Sequence, residues 1–344
     1  MAGPQVDDEL LASLGKRVAD QVSEWRPGAS VIDLRPLAGG TSSLAFTLEI
    51  SDVSPRESPL VLKVAPPGLE PVRNRDVLRQ ARLLSALHEQ SPGLAPEVFF
   101  TDAGEPPEVP PFLAMNLVEG ECLEPILVPV DQRPSPQVAR SRGLAAARNL
   151  AFLHSIAPAD LGLSEEPVVT LASEIERWTR AFETLPPDLR GDFASVAGLL
   201  RDSMPAPVDP VVNHGDYRLG NLLCGGEEVN AIIDWEIWSV GDPRIDVTWL
   251  LFFADDGGHP AAEPGPPVGT PSGAELIDVY ESERGVELGD LSWFTALSKY
   301  KEAGLTGLLL KRADKNGTAM KPALARMRPE LPRLLREAAL LLEG

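Results

Sequence analysis

The periodicity of apolar residues changes once along this chain, near Glu119-Gly120, and that change constrains the fold more than any single motif. Before it, short apolar runs at residues 31–37, 44–50, 60–64, 98–100 and 112–118 read as strands. Two helical patterns interrupt them. One places Leu10, Leu11, Leu14, Val18, Val22 and Trp25 on one face ahead of Pro27; the other covers about 72–89. After the change, helical patterns dominate, at roughly 137–156, 171–184, 189–203, 274–284, 290–312 and 320–343. Short strand-like pieces at 211–213 and 229–233 break them. A strand-rich first third and a helical remainder predict an α+β fold of two lobes, residues 1–118 and 119–344. The Pro- and Gly-rich stretch 257–273 reads as a long mobile loop.

The chemistry concentrates in VVNHGDYRLGNLLCGGEEVNAIIDWE, residues 211–236. His214-Gly215-Asp216 follows one apolar run, Asn221 comes five positions after the aspartate, and Asp234 ends the next run. Magnesium-assisted phosphoryl transfer needs a carboxylate to orient an incoming hydroxyl. It also needs an amide oxygen and a second carboxylate to hold the ion. An H-x-D-x-x-x-x-N loop followed by a strand ending in Asp supplies those three oxygens. His214 is expected to hold the loop backbone rather than transfer protons.

Composition narrows the partners. With 31 Lys and Arg against 51 Asp and Glu the net charge is −20, which argues against a broad nucleic-acid surface and against a polybasic membrane anchor. Two cysteines, Cys122 and Cys224, cannot build a disulfide framework or a four-cysteine zinc site. The opening MAGPQVDDELLASLGKRV is broken by charges, so neither a signal peptide nor a membrane span is expected there, and a cytoplasmic location is.

The HGDYRLGN loop, the IIDWE strand end and the GDPRIDVTWL that follows resemble the aminoglycoside phosphotransferase family. The wording HGDYRLGN and the late GVELGDLSWF are most similar to its actinobacterial and acyl-CoA-dehydrogenase-associated branch. The resemblance implies a protein-kinase-like fold with a strand-rich N-lobe and a helical C-lobe. It implies ATP- and Mg2+-dependent transfer of the γ-phosphate to a hydroxyl of a small molecule. By position, Asp216 would be the catalytic base, Asn221 and Asp234 the magnesium ligands, and Asp246 a buttress of the catalytic loop. Arg218 would face the transferred phosphate, unless it is a solvated surface arginine.

The N-lobe would then clamp the nucleotide. Gly39, Gly40, Thr41, Ser42 and Ser43 lie between two strand candidates, where backbone N–H groups could reach phosphates, although a hairpin turn explains them equally. Lys63, within Leu60-Val61-Leu62-Lys63-Val64, resembles the strand lysine that pairs with the α- and β-phosphates. Residues 112–120 resemble the hinge, with Asn116 and Val118 offering main-chain groups to adenine. One position departs from the family. Gln80 stands where a helix glutamate would pair with the lysine, and Asp76 one turn earlier is the alternative anchor.

The acceptor stays open between an aminoglycoside and a 4-hydroxyacyl-CoA or other hydroxy acid, and a weakly active pseudokinase is the reading from another class. Asp255, Asp256, Glu263, Glu281 and Glu283 would suit a cationic sugar. Lys299, Lys301, Lys311, Arg312 and Lys315 would suit CoA phosphates.

Overall fold

The structure is a computed structural model and describes residues 8–37, 43–317 and 320–344. The chain divides into two compact units, Met1–Gly120 with Asn230–Ile237, and Glu121–Val229 with Trp238–Gly344. Residues 230–237, which carry Asp234, therefore belong with the strand-rich unit and not with the helical stretch that surrounds them in sequence.

In the first unit α1 (Asp8–Trp25) precedes β1 (Ser30–Pro36), β2 (Leu44–Ser51) and β3 (Leu60–Val64). Then come α2 (Val77–Gln90), β4 (Val98–Asp102) and β5 (Phe112–Asn116). The strands form one antiparallel sheet in the order β1-β2-β3-β5-β4. Its alternation is regular: Leu44, Phe46, Leu48 and Ile50 of β2 and Leu60, Leu62 and Val64 of β3 are buried with Leu14, Val18 and Val22 of α1. A period of two then sends Val61 and Lys63 to the opposite face. The second helix starts later than its periodicity predicts. A 3-10 turn, Arg73–Arg75, precedes it, and the Asp76 carboxylate caps it by accepting from the Arg79 N–H at 2.9 Å.

The second unit contains α3 (Pro136–Ser155), β6 (Val168–Val169), α4 (Leu171–Glu183), α5 (Pro187–Arg190) and α6 (Phe193–Asp202). There follow β7 (Val211–Asn213), β8 (Leu222–Gly225), β9 (Glu228–Ile232), which runs across the unit boundary, and β10 (Ser239–Gly241). The helices α7 (Arg244–Ala254), α8 (Gly273–Arg284), α9 (Ser292–Asn316), α10 (Pro322–Met327) and α11 (Leu331–Glu343) complete it. Its core draws on α4, α6, α7, α9 and α11. Gly304 lets α9 approach α4 closely, since a Cβ there would lie 3.1 Å from Phe182 Cε2, and Gly307 leaves room just beyond α4 for Leu185, whose Cδ1 would lie 2.4 Å from such a Cβ.

Three expectations change here. The helix expected over 189–203 is two, because Gly191 breaks it at φ 52°, a left-handed conformation that glycine adopts without steric cost. The helix expected over 320–343 is interrupted by a 3-10 turn at Arg328–Glu330, where Pro329 has no N–H to give to an α-helical ladder. Residues 257–272 form no helix or strand, yet several contacts tie them to the rest of the unit. His259, Ala261 and Val268 are buried, Arg133 donates to the Glu263 and Pro266 carbonyls, and the Asp256 carboxylate accepts from Val268 and Gly269 N–H. Among the described residues no helix is long and apolar enough to cross a membrane.

Candidate active site

In the helical unit the catalytic-loop candidate grows out of β7, whose three residues are buried and which pairs antiparallel with β10. Gly215 takes φ 87°, turning the chain so that two successive N–H groups meet one carboxylate. Asp246, fully buried in the first turn of α7, accepts from His214 N–H at 2.5 Å and Gly215 N–H at 2.9 Å. His214 Nδ1 in turn accepts from the Asp216 N–H at 3.2 Å, the loop-holding role its position predicts. Lys301 of α9 donates to the Gly215 carbonyl at 2.5 Å and lies 3.6 Å from the centre of the Trp249 indole. Tyr217, fully buried, ties the loop to α3 through the Ala146 carbonyl at 2.8 Å.

Asp216 is thus presented by a fixed backbone. Its Oδ1 accepts from Trp249 Nε1 at 2.7 Å and from Arg218 Nε at 3.3 Å, and its Oδ2 accepts from Asn221 Nδ2 at 2.8 Å. Burial opposes its ionisation, but Arg218, Lys301 and the indole N–H outweigh it and hold the carboxyl below its usual range. Asn221 Nδ2 also donates to the Asp216 main-chain oxygen, so its amide oxygen is the atom left to meet a cation. Arg218 lies over the Phe253 ring and reaches Glu124 at 3.4 Å, so it is held between two carboxyls rather than solvated. Burial pushes Glu124 up to about 7, and its Oε2 accepts from the Gly220 N–H.

The strand-rich unit holds the remaining candidates. Residues 230–237 are fastened there by Asn230 Nδ2 to the Glu119 carbonyl and Ile232 N–H to the Leu94 carbonyl, and Trp235 Nε1 closes the segment on itself through the Ile232 carbonyl. Asp234 has φ 65° and is about half exposed. Lys63 Nζ stands 3.5 Å from Asp234 Oδ1 and 3.9 Å from Glu236 Oε2. Neither Gln80 nor Asp76 supplies the lysine's carboxylate. Gln80 is buried and donates from Nε2 to the Asn74 carbonyl at 3.3 Å, while Asp76 is occupied as the α2 cap. A neutral amide has no charge to hold an ammonium, and the two carboxylates of the DWE turn do.

Asn116 exchanges main-chain and side-chain hydrogen bonds with Glu97; beyond β5, Leu117 is exposed and Val118 half-buried. Ser43 is buried immediately before β2; Gly39, Gly40, Thr41 and Ser42 lie outside the described residues. Three of the five basic residues expected for CoA are engaged within the fold. Lys301 is buried under the loop, Lys299 pairs with Glu337 at 2.7 Å, and Lys311 caps the Thr184 carbonyl.

Sequence reasoning missed Trp249, Glu124 and Glu236, and it read Lys301 as part of a phosphate-binding patch when the lysine supports the loop. Trp249 had a signal: it stands three residues after Asp246, one turn along the same helix face. Glu236 stands two after Asp234. For Lys301 and Glu124, distant in sequence from the loop, no local pattern exists.

A strand-rich unit carrying a lysine beside a DWE turn, and a helical unit carrying a buttressed HGDxxxxN loop, define a two-lobed kinase-like α+β phosphotransferase fold. The sequence model of the phosphotransferase enzyme family matches residues 33–265, and the chain belongs to that family. Solved structures share the fold. A Ralstonia eutropha protein provisionally assigned as an aminoglycoside phosphotransferase is 21% identical with a TM-score of 0.72, covering 98% of this chain and 99% of that one. Macrolide 2'-phosphotransferase type I is 19% identical with a TM-score of 0.58, over 95% and 98%. The mouse (Mus musculus) acyl-CoA dehydrogenase family member 11 is 25% identical over 265 residues, 73% of this chain and 33% of that protein. The rat (Rattus norvegicus) protein of the same name is 27% identical over 206 residues, 56% and 26%. The chain spans about a quarter to a third of the length of these relatives.

Proposed function

We propose that this chain transfers the γ-phosphate of ATP, with Mg2+, to a hydroxyl of a small molecule, with Asp216 as the base. The observation that carries the proposal is the Asp216 carboxylate itself. It is ionised, partly exposed and aimed by three donors on a loop whose backbone is locked by Asp246. A base held this way can accept a hydroxyl proton without reorganising, which is where positioned groups gain most of their effect. Arg218, beside it, supplies positive charge where charge develops on the transferred group. In the other unit Lys63 faces away from the apolar core and is the group for the α- and β-phosphates, with Val118 near the base-binding hinge.

Asn221 and Asp234 offer an amide oxygen and an exposed carboxylate, hard donors of the kind magnesium takes. The ion would neutralise phosphate charge during transfer. Among solved relatives of the fold, an aminoglycoside 2'-phosphotransferase has been captured with GDP, so a guanine nucleotide belongs in the assay beside ATP.

The curated relatives carry acyl-CoA dehydrogenase names and the solved structures aminoglycoside and macrolide phosphotransferase names, so a hydroxyacyl-CoA and an amino sugar both belong in the acceptor panel. Purified protein should be given ATP or GTP, Mg2+ and a panel of both acceptor classes, with products resolved by mass. Asp216→Asn is expected to keep the fold and nucleotide binding while cutting transfer by at least ~10²-fold. Transfer by that variant near the wild-type rate would remove Asp216 from its role. Nucleotide binding with no transfer to any member of the panel would favour the pseudokinase reading.

A further inference from the structure

The helix carboxylate that would hold the strand lysine is absent, since its position is Gln80, yet Lys63 is not left without a counter-charge. Two carboxylates of one tight turn face its ammonium, Asp234 at 3.5 Å and Glu236 at 3.9 Å. They differ in exposure. Asp234 is 47% exposed and stands at a left-handed backbone position that lifts it off the end of β9, whereas Glu236 is 19% exposed and Lys63 14%. The 3-10 turn that follows Asp234 and bears Glu236, Trp235–Ile237, packs against α2 and the 3-10 turn before it, in the same unit as β3. Trp235, 2% exposed, anchors the turn.

We infer that Glu236 is the positioning residue for Lys63, doing from the DWE turn what a glutamate of α2 does elsewhere. The inference rests on the reading of unit 1 as the nucleotide lobe. An aspartate that ligates a divalent cation cannot also neutralise a lysine well, because the cation repels the ammonium from the shared carboxylate. Two carboxylates two residues apart separate the tasks: the exposed one is left for the metal and the sheltered one for the lysine. The lysine's hold then does not depend on α2, whose Gln80 amide donates to the Asn74 carbonyl. Glu236 also keeps Lys63 from settling wholly on Asp234, so losing it weakens binding of the metal–nucleotide complex as well as of nucleotide alone.

The test is a double-mutant cycle on ATP binding by calorimetry, with EDTA and with Mg2+, using Glu236→Gln, Lys63→Met and their combination, and melting temperatures to confirm folding. Glu236→Gln is expected to weaken ATP without metal about tenfold, the scale of one charge-assisted contact, and to weaken Mg·ATP at least as much. The combined variant should bind no worse than Lys63→Met, because the two residues act through one contact. Glu236→Asp should recover part of the affinity, which a purely structural role would not. Wild-type affinity in Glu236→Gln, or losses that simply add in the double variant, overturns the inference. If Lys63→Met also binds ATP like wild type, the nucleotide reading of this lobe falls with it. A loss in Lys63→Met with none in Glu236→Gln removes Glu236 alone.

Discussion

Asp216 and Glu302 both lie in the field of Arg218 and Lys301, yet their protons are held in opposite ways. Asp216 accepts three side-chain hydrogen bonds and stays ionised; Glu302, on α9, has one, from Thr306 Oγ1 to its Oε1 at 2.8 Å, and its Oε2 has no partner among the described residues. Burial, with Asp216 adding to it, pushes Glu302 up from 4.5 to about 7. In that window the folded protein keeps a proton that the unfolded chain releases. Stability therefore falls as pH rises from about 4.5 to about 7, by roughly 3 kcal/mol if the shift is fully expressed. Glu302→Gln keeps an oxygen for Thr306 and removes the charge. Its melting temperature should match wild type near pH 5 and exceed it increasingly up to pH 8. A gap that does not widen with pH would show that Glu302 does not titrate there.

At the scale of elements, α7 organises the loop from one face. Asp246, Trp249 and Phe253 are spaced i, i+3 and i+7, and meet respectively the loop backbone, the Asp216 carboxylate and the Arg218 guanidinium. The opposite face, with Thr248, Leu251, Phe252 and Asp255, lines a cavity of about 610 Å³ whose wall continues through Thr270 and Lys299. Trp249→Phe keeps the aromatic body and deletes the N–H donor. It should lower kcat roughly tenfold, leave the KM for ATP nearly unchanged, and move the acid limb of the kcat/KM profile upward, because Asp216 loses a donor that favours its ionised form. An unmoved acid limb would separate Trp249 from the base.

Over the whole molecule the charge of −20 works against compactness. Many ion pairs here are exposed and individually weak, as between Arg140 and Glu275 or Arg35 and Glu49. Screening should therefore relieve more repulsion than it costs in attraction. Raising ionic strength from about 10 to about 150 mM, where the Debye length shortens to ~8 Å, is expected to raise the melting temperature. A fall would mean that the surface pairs outweigh the net charge.

Local pattern carried much of this molecule. The alternation of β2 and β3 is visible in residues 44–50 and 60–64, and it alone puts Lys63 opposite the apolar core. The amphipathic faces of α1 and α4 are equally plain, because each helix has one wet side. By contrast α7 buries Val247, Thr248, Trp249, Leu250, Phe252 and Phe253, so its apolar residues run all round and no period marks it. The HGDxxxxN and DWE motifs were legible for the same reason as the strands: each is contiguous, and the backbone geometry that makes it work is built from neighbours in sequence. What holds the loop is not contiguous. Lys301 arrives on a helix 86 residues from Gly215, and Glu124 lies 96 before Gly220. The choice of Glu236 over Gln80 beside Lys63 also depends on where a turn far along the chain packs. Sequence by itself determined the α+β order, the core face of the sheet and the oxygen donors of the motifs, since these follow from periodicity and local spacing. Only the tertiary structure decided which charges face one another, because electrostatic and hydrogen-bond energies depend on distance in space, and the chain brings together residues whose separation along it carries no information.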